Sequence, residues 1–498
     1  MTVALETRSD FTLEACRRVA WGNEAVTFAP TAREAMARAR RQFMALVENP
    51  NITIYGVNTG YGHQAKTRLS PEQRKMQAAA PTYHRAVSWG DPLPERVVRA
   101  MVFARLANFV EGHAAISPHI AEAVAEMLND AAMPMLPARG QGGAGEILAL
   151  SHLFIGLSER HDMAEKDMLS LINGSPGASA LVSDAALASA SRLDIAAEVL
   201  ALAAEAFNTP LEHFAGELES LWNNPHDAWA LRKIRTLMAG GHGGERRPYQ
   251  APVSFRIMPR ILGQARKASV DATAVANESL AAASDNPLFL FPGAGRPDGA
   301  MISTGGYHNA QAPMAMDNLT AAYANLCVIA ERLGAKLLDP AVSLLPPFLG
   351  LQDGMSYLGC LPMAIAGYSE ECRMLAQATL LPGSESGGFG QDDVASPVFA
   401  AWSKQDRAGA LLEQALASLA PIAMRAFRVT ERPVPPPLAT LAADVASAFP
   451  DDGRDAAFAP QCERLAAMLR ERIFGVQVSS RPSSGPTGII PMALDLAP

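Results

Sequence analysis

Between Leu319 and Pro340 the chain carries one apolar seam. Leu319, Tyr323, Leu326, Ala330, Leu333 and Leu337 follow one another in alternating steps of four and three. That spacing places all six side chains on one stripe of an α-helix. A stripe of about five turns must be covered along its whole length, and other long helices are what cover it. Pro340, which has no amide hydrogen to give, ends the helix. A second helical pattern runs through Val98, Val102, Leu106 and Phe109. Ser117-Pro118 reads as an N-cap followed by proline at the first helical position, opening a stretch with Ile120, Val124 and Leu128. Asp184 is expected to cap an Ala-rich helix reaching Leu200. Strand-like alternation is rare and short, so the predicted fold is mostly α, a bundle of long helices.

With 498 residues, 49% of them hydrophobic, the chain can bury more than one packed region. Three segments are expected. Residues 1–200 form an N-terminal helical region with active-site loops, residues 201–432 a central long-helix bundle, and residues 433–498 a small C-terminal helical piece. Pro433–Pro437 serves as the linker before the last. A net charge of −8 argues against a nucleic-acid partner, which calls for a basic face. Neither a charged-then-apolar leader nor an apolar run of spanning length is seen, so a soluble, cytoplasmic protein without membrane contact is expected. Five cysteines (Cys16, Cys327, Cys360, Cys372, Cys462) lie scattered without Cys-x-x-Cys spacing, which suggests neither a disulfide framework nor a metal site.

Glycine and polar residues gather at Tyr55–Gly62, Arg139–Glu146, Asn173–Gly177, Ala239–Arg256 and Gly383–Asp393. Polar loops on a rigid helical scaffold are where catalysis tends to sit. The motifs in these loops resemble, in order, those of the histidine and aromatic amino-acid ammonia-lyases. Tyr55-Gly-Val-Asn-Thr-Gly-Tyr-Gly62 begins the likeness, and His84 lies in a segment similar to the family's Ser-His-Ala-Ala. Leu171-Ile-Asn-Gly174 resembles Leu-Leu-Asn-Gly, and Gln250-Ala-Pro-Val-Ser-Phe-Arg256 resembles Gln-Asp-Pro-Tyr-Ser-x-Arg. Ser284-Asp-Asn-Pro287 is the same in both, Gly305-Gly-Tyr-His308 resembles Gly-Asn-Phe-His, and Gln391-Asp-Asp393 resembles Gln-Glu-Asp. The likeness spans about Tyr55 to Ala400. It implies the ammonia-lyase (fumarase/aspartase-like) type of long-helix bundle, and a homotetramer whose sites borrow loops from three chains.

One departure bears on the chemistry. Where the family has Gly-Ala-Ser-Gly-Asp, this chain has Gly142-Gly-Ala-Gly-Glu146. The family's Ala-Ser-Gly triad cyclises and loses water to give methylidene-imidazolone, the electrophile that captures the substrate amine. Dehydration needs the serine hydroxyl. At Gly143-Ala144-Gly145 there is none to lose, so no such cofactor is expected. Gly174-Ser-Pro-Gly-Ala-Ser-Ala180 looks like the family's Gly-Ser-Val-Gly-Ala-Ser-Gly, which would make Ser179 the cofactor serine. Asn173, however, already fills the later asparagine motif, and Pro137–Gly140 and Leu150–His152 reproduce the flanks of the triad around Ala144.

A primary amine is a poor leaving group and needs the electrophile; a quaternary ammonium does not, and has no lone pair to attack one. The pattern therefore resembles a cofactor-less branch of the family typified by ergothionase, and implies a small-molecule amino-acid betaine as partner. Ergothioneine, giving thiourocanate and trimethylamine, is the first choice. By resemblance Tyr55 is the base for the β-proton. Arg256 grips a carboxylate with Asn173 as second donor, and His84, Gln391 and Asp392 face the ring. Tyr61 and Tyr307, with Tyr83, could hold a trimethylammonium by cation–π attraction. Each has a plainer reading: a packed tyrosine, a structural ion pair for Arg256, a helix cap for Asp392, and for Asp285 and Asn286 a turn before Pro287. Val253 replaces the family's loop tyrosine, and no lysine falls between Leu344 and Leu381 to serve a thiol-imidazole. Two other readings stay open: a cofactor-free lyase, mutase or hydratase on another aryl or histidine-derived acid, and a catalytically inactive binding protein; a conventional ammonia-lyase using Ser179 is set aside on the motif order and the flanks around Ala144.

Overall fold

The computed structural model describes residues 2–60, 64, 66–80, 82–129, 132–241, 246–247, 249–351, 357–383, 390, 392–450 and 457–475. Six helices form the bundle: α1 (Glu95–Leu106), α2 (Pro176–Ala206), α3 (Met258–Leu280), α4 (Gln311–Leu338), α5 (Leu361–Leu375) and α6 (Val398–Val429). All six seam residues from Leu319 to Leu337 are buried within α4. Strands among the described residues are two short pairs. Thr2–Leu5 lies parallel to Ala25–Phe28, and Leu288–Leu290 antiparallel to Ala300–Ile302. No described helix is long and apolar enough to cross a membrane.

Side-chain bonds fix the directions of the helices. Ser179 Oγ donates to the Ser279 carbonyl at 2.9 Å, and the Ser189 and Ser269 hydroxyls meet at 2.7 Å, so α2 and α3 run antiparallel. Along α6, Trp402 Nε1 donates to Asp184 and Glu413 pairs with Arg192 at 2.8 Å, so α2 and α6 run parallel. Gln405 Nε2 donates to the Tyr323 hydroxyl, and Gly334 packs on Leu419 and Ile422, which sets α4 parallel to α6. The starts of α2, α4 and α6 thus share one end of the bundle with the close of α3. The 31 residues of α2 make it about 46 Å long, so its two ends are distant places.

Several local expectations are corrected. Asp184 caps nothing: it lies inside α2, buried, with its carboxylate on Arg96 at 2.7 Å. The helix instead starts with Pro176 in its first turn and continues to Ala206, so the boundary expected at residue 200 falls within one helix. Pro118 does open the Pro118–Met127 helix. Ser117, though, makes no side-chain cap bond, and its amide donates to Asp167 Oδ1 at 2.7 Å. Phe109 lies beyond the end of α1. The C-terminal piece comprises Ala439–Ala448 and Phe458–Phe474, the latter packed on α6 and α2.

Candidate active site

The N-termini of α2, α4 and α6 lie together at one end of the bundle, and each carries a partial positive charge of about half a unit. The loops of the sequence motifs cross this end. The Asn173 loop is held from beneath: Arg105 Nη1 donates to the Ser170 and Asn173 carbonyls, both at 2.5 Å. Its amide oxygen accepts from the Gly174 N–H at 3.0 Å. Gly174 takes φ +120°, and any Cβ there would strike the Arg105 guanidinium, so glycine is required. Ser175 N donates to Ser284 Oγ at 3.0 Å and Ser175 Oγ to the Gly306 carbonyl at 3.3 Å. These bonds draw the Asn173, Ser284 and Tyr307 segments together.

The Gly143-Ala144-Gly145 segment lies against them. Gly145 has φ +63°, and a Cβ on it would stand 3.2 Å from Tyr307 Cδ2, so the tyrosine ring packs on the segment. The Gly143 carbonyl accepts from the Ser396 amide at 3.0 Å, which ties the loop leading from Asp392 into α6 to this segment; Asp392, four residues before Ser396, is half-buried. Glu146 anchors the other side. Its two carboxylate oxygens accept from the Gly177 and Ala178 amides at 2.5 and 2.6 Å, at the open start of α2. Burial pushes the Glu146 carboxyl up to about 8, against the pull of those amides and of Arg105.

Tyr55, half-buried, follows Ile54 and precedes Val57, which pack with Ala115 and Phe289. Its loop therefore rests on the Leu288–Ile302 hairpin that leads to Tyr307. His84 is exposed on a short turn whose continuation, Ser88, donates to the Gly140 carbonyl at 2.9 Å and, through its amide, to His152 Nε2 at 3.1 Å. Partial burial and Arg85 hold the His84 pKa below its ordinary value. Tyr83 turns away and donates to Glu159 at 2.7 Å. Tyr61 and Gln391 lie outside the described residues. Ser179 is buried in the first turn of α2, its hydroxyl on the Ser175 and Ser279 carbonyls.

Arg256 is not brought to this end. Phe255, its neighbour, stacks on Phe207 at 4.1 Å just past the end of α2. In one chain, Asn173 and Arg256 therefore stand about the length of a 31-residue helix apart. Val253 is exposed on the same short helix, Val253–Arg256. Sequence reasoning missed the buried groups beneath the site: Arg105, Glu146 and Lys166, whose ammonium meets Asp285 at 2.6 Å. An arginine on the largely apolar end of α1 was the available signal for Arg105, whereas Glu146, at the close of a glycine-rich loop, offered none. Among the described residues no group of metal-ligating side chains occurs.

The sequence pattern described as "Aromatic amino acid lyase" matches residues 11–164 and 156–449. A histidine ammonia-lyase of Streptomyces coelicolor is 30% identical over 475 residues, covering 88% of this chain and 90% of that protein. The chain belongs to the aromatic amino acid lyase family. Its fold is shared by lyase structures of much lower identity. An ergothionase of Treponema denticola, solved with desmethyl-ergothioneine sulfonic acid, superposes with a TM-score of 0.87 at 17% identity, covering 95% of this chain and 99% of that one. A histidine ammonia-lyase of Trypanosoma cruzi gives a TM-score of 0.82 at 20% identity, over 95% and 94% of the two chains. Family membership makes carbon–nitrogen lyase chemistry the frame for this site, and the long-helix bundle is the lyase fold.

Proposed function

We propose that the protein expels trimethylamine from a histidine-type betaine, ergothioneine first, without an imidazolone electrophile. Ala144 carries this reading. The family implies a cofactor made from a serine at this position, and the residues present do not fit it, because a methyl side chain has no hydroxyl to eliminate. The elimination needs none. The Tyr55 oxygen takes the β-proton, the C–H electron pair becomes the Cα=Cβ bond, and the C–N pair departs with trimethylamine, leaving thiourocanate. The positive helix ends favour the negative charge of a substrate carboxylate at this end of the bundle. Tyr307, packed against Gly145, can offer its ring face to the trimethylammonium. Arg256 would come from another copy of the chain, which makes a homotetramer part of the reading.

Two measurements test it. The intact mass should equal the encoded mass; a deficit of two waters would refute a cofactor-free site. Amine release should then be compared for ergothioneine, hercynine, histidine and phenylalanine. Trimethylamine from a betaine, with no ammonia from histidine or phenylalanine, is the expected result. Comparable ammonia release would make the protein an ordinary ammonia-lyase like its named relatives. Release from hercynine alone would keep the leaving-group chemistry and change the substrate.

A further inference from the structure

Beyond the C-terminal end of α2, the Arg256 guanidinium is half-buried and tied back at one edge. Its Nε–H donates to the Ala251 carbonyl at 3.0 Å, and this is its one hydrogen bond among the described residues. Both terminal nitrogens are left to take a carboxylate in two parallel bonds. Ala251 is fixed in turn. Only 2% exposed, it donates its amide hydrogen to His213 Nε2 at 3.2 Å. A ring nitrogen that accepts carries no proton, so His213 is the neutral imidazole with its hydrogen on Nδ1. Burial holds the His213 pKa below its ordinary value, with Glu212 pulling the other way and Arg256 adding to the depression. Phe207, stacked on Phe255, pins the same turn from the side.

We propose that His213 is a positioning residue for the substrate carboxylate. As a neutral acceptor it fixes Ala251, and Ala251 fixes the direction of the Arg256 fork. The proposal rests on reading Arg256 as the carboxylate-binding residue. It demands an acceptor at the Nε2 position, whereas a role in filling space would be met by any side chain of similar bulk. His213→Leu keeps bulk and removes the acceptor; His213→Gln restores one through its amide oxygen.

The test is calorimetric binding of imidazolepropionate, a ring-bearing carboxylate with no amine to lose, to the full-length protein and its variants. Arg256→Ala is expected to weaken binding about 100-fold. His213→Leu should weaken it about 5-fold, and His213→Gln should stay within about 2-fold of the parent. With ergothioneine as substrate, His213→Leu should raise KM by the same factor and leave kcat nearly alone. Unchanged binding in Arg256→Ala would remove the carboxylate role and the proposal with it. A large effect of Arg256→Ala with none from His213→Leu, or His213→Gln as weak as His213→Leu, would overturn the His213 role alone. Nitrogen NMR of the ring supplies an independent check: a proton found on Nε2 at neutral pH would also overturn it.

Discussion

Lys166 and Asp285 meet at 2.6 Å with neither side chain exposed. The pair lies under the Asn173 loop, where Lys166 also donates to Ser170 Oγ at 2.9 Å and Ser170 to the Ala114 carbonyl. Two buried charges cost much desolvation, and removing one strands the other. Asp285→Ala is therefore expected to lose about 3–5 kcal/mol in urea unfolding. The double variant Lys166→Met, Asp285→Leu should recover most of that, and a single variant as stable as the parent would show that the pair holds nothing. Tyr55→Phe keeps the ring's packing and deletes the phenolic oxygen, so turnover should fall by at least about 100-fold with KM little changed; near-normal turnover would take Tyr55 out of the mechanism. Neighbouring residues of one motif do different work here. Asn286 ties the start of the hairpin to its far side, its side-chain oxygen accepting from the Thr304 amide at 2.8 Å, while Asp285 answers a lysine 119 positions away. The sequence suggested a local turn at this motif. Neither the bond to Thr304 nor the ion pair was legible, since nothing near either residue in the chain announces its partner.

At the scale of the element, Gly177 shows how α2 is tied to the triad loop. Alanine ordinarily favours a helix over glycine by about 1 kcal/mol. A Cβ on Gly177 would instead stand 2.6 Å from a Glu146 carboxylate oxygen and 2.8 Å from the Met101 methyl. Gly177→Ala is expected to cost about 1–3 kcal/mol, read as a lower thermal midpoint by circular dichroism; a raised midpoint would mean the contact yields freely. The same helix explains which elements could be read in advance. The α4 seam was plain because one face is apolar and the pattern repeats along the chain. In α2 nearly every position is buried, so no periodicity distinguishes a face, and Asp184 looked like a cap because its partners Arg96 and Trp402 are remote in sequence. Pro176 was the better start signal. For the site, the motifs named candidates, and the folded chain gathers Asn173, the Ala144 segment, Tyr307 and the loop before α6. They could not say that Arg256 stands elsewhere, because motif order carries no distance.

For the whole molecule, the separation of Asn173 and Arg256 decides what assembly is needed. No amino acid bridges about 46 Å, so if both residues serve one substrate, a second copy must lay its Arg256 end against the first copy's Asn173 end. Exposed Val253, Ile257, Met363, Met374, Leu380 and Leu381 give the bundle apolar surface for such contacts. Light scattering is expected to report a homotetramer of dihedral symmetry, and a monomer at working concentration would count against it. The length of α2 also makes the two halves of the site separable between genes. A chain disabled at Tyr55 and another disabled at Arg256 each carry the half the other lacks. Co-expressed in equal amounts and assembled at random, two inactive variants should regain about a quarter of the parent's activity, because one pairing in four joins a sound Tyr55 to a sound Arg256.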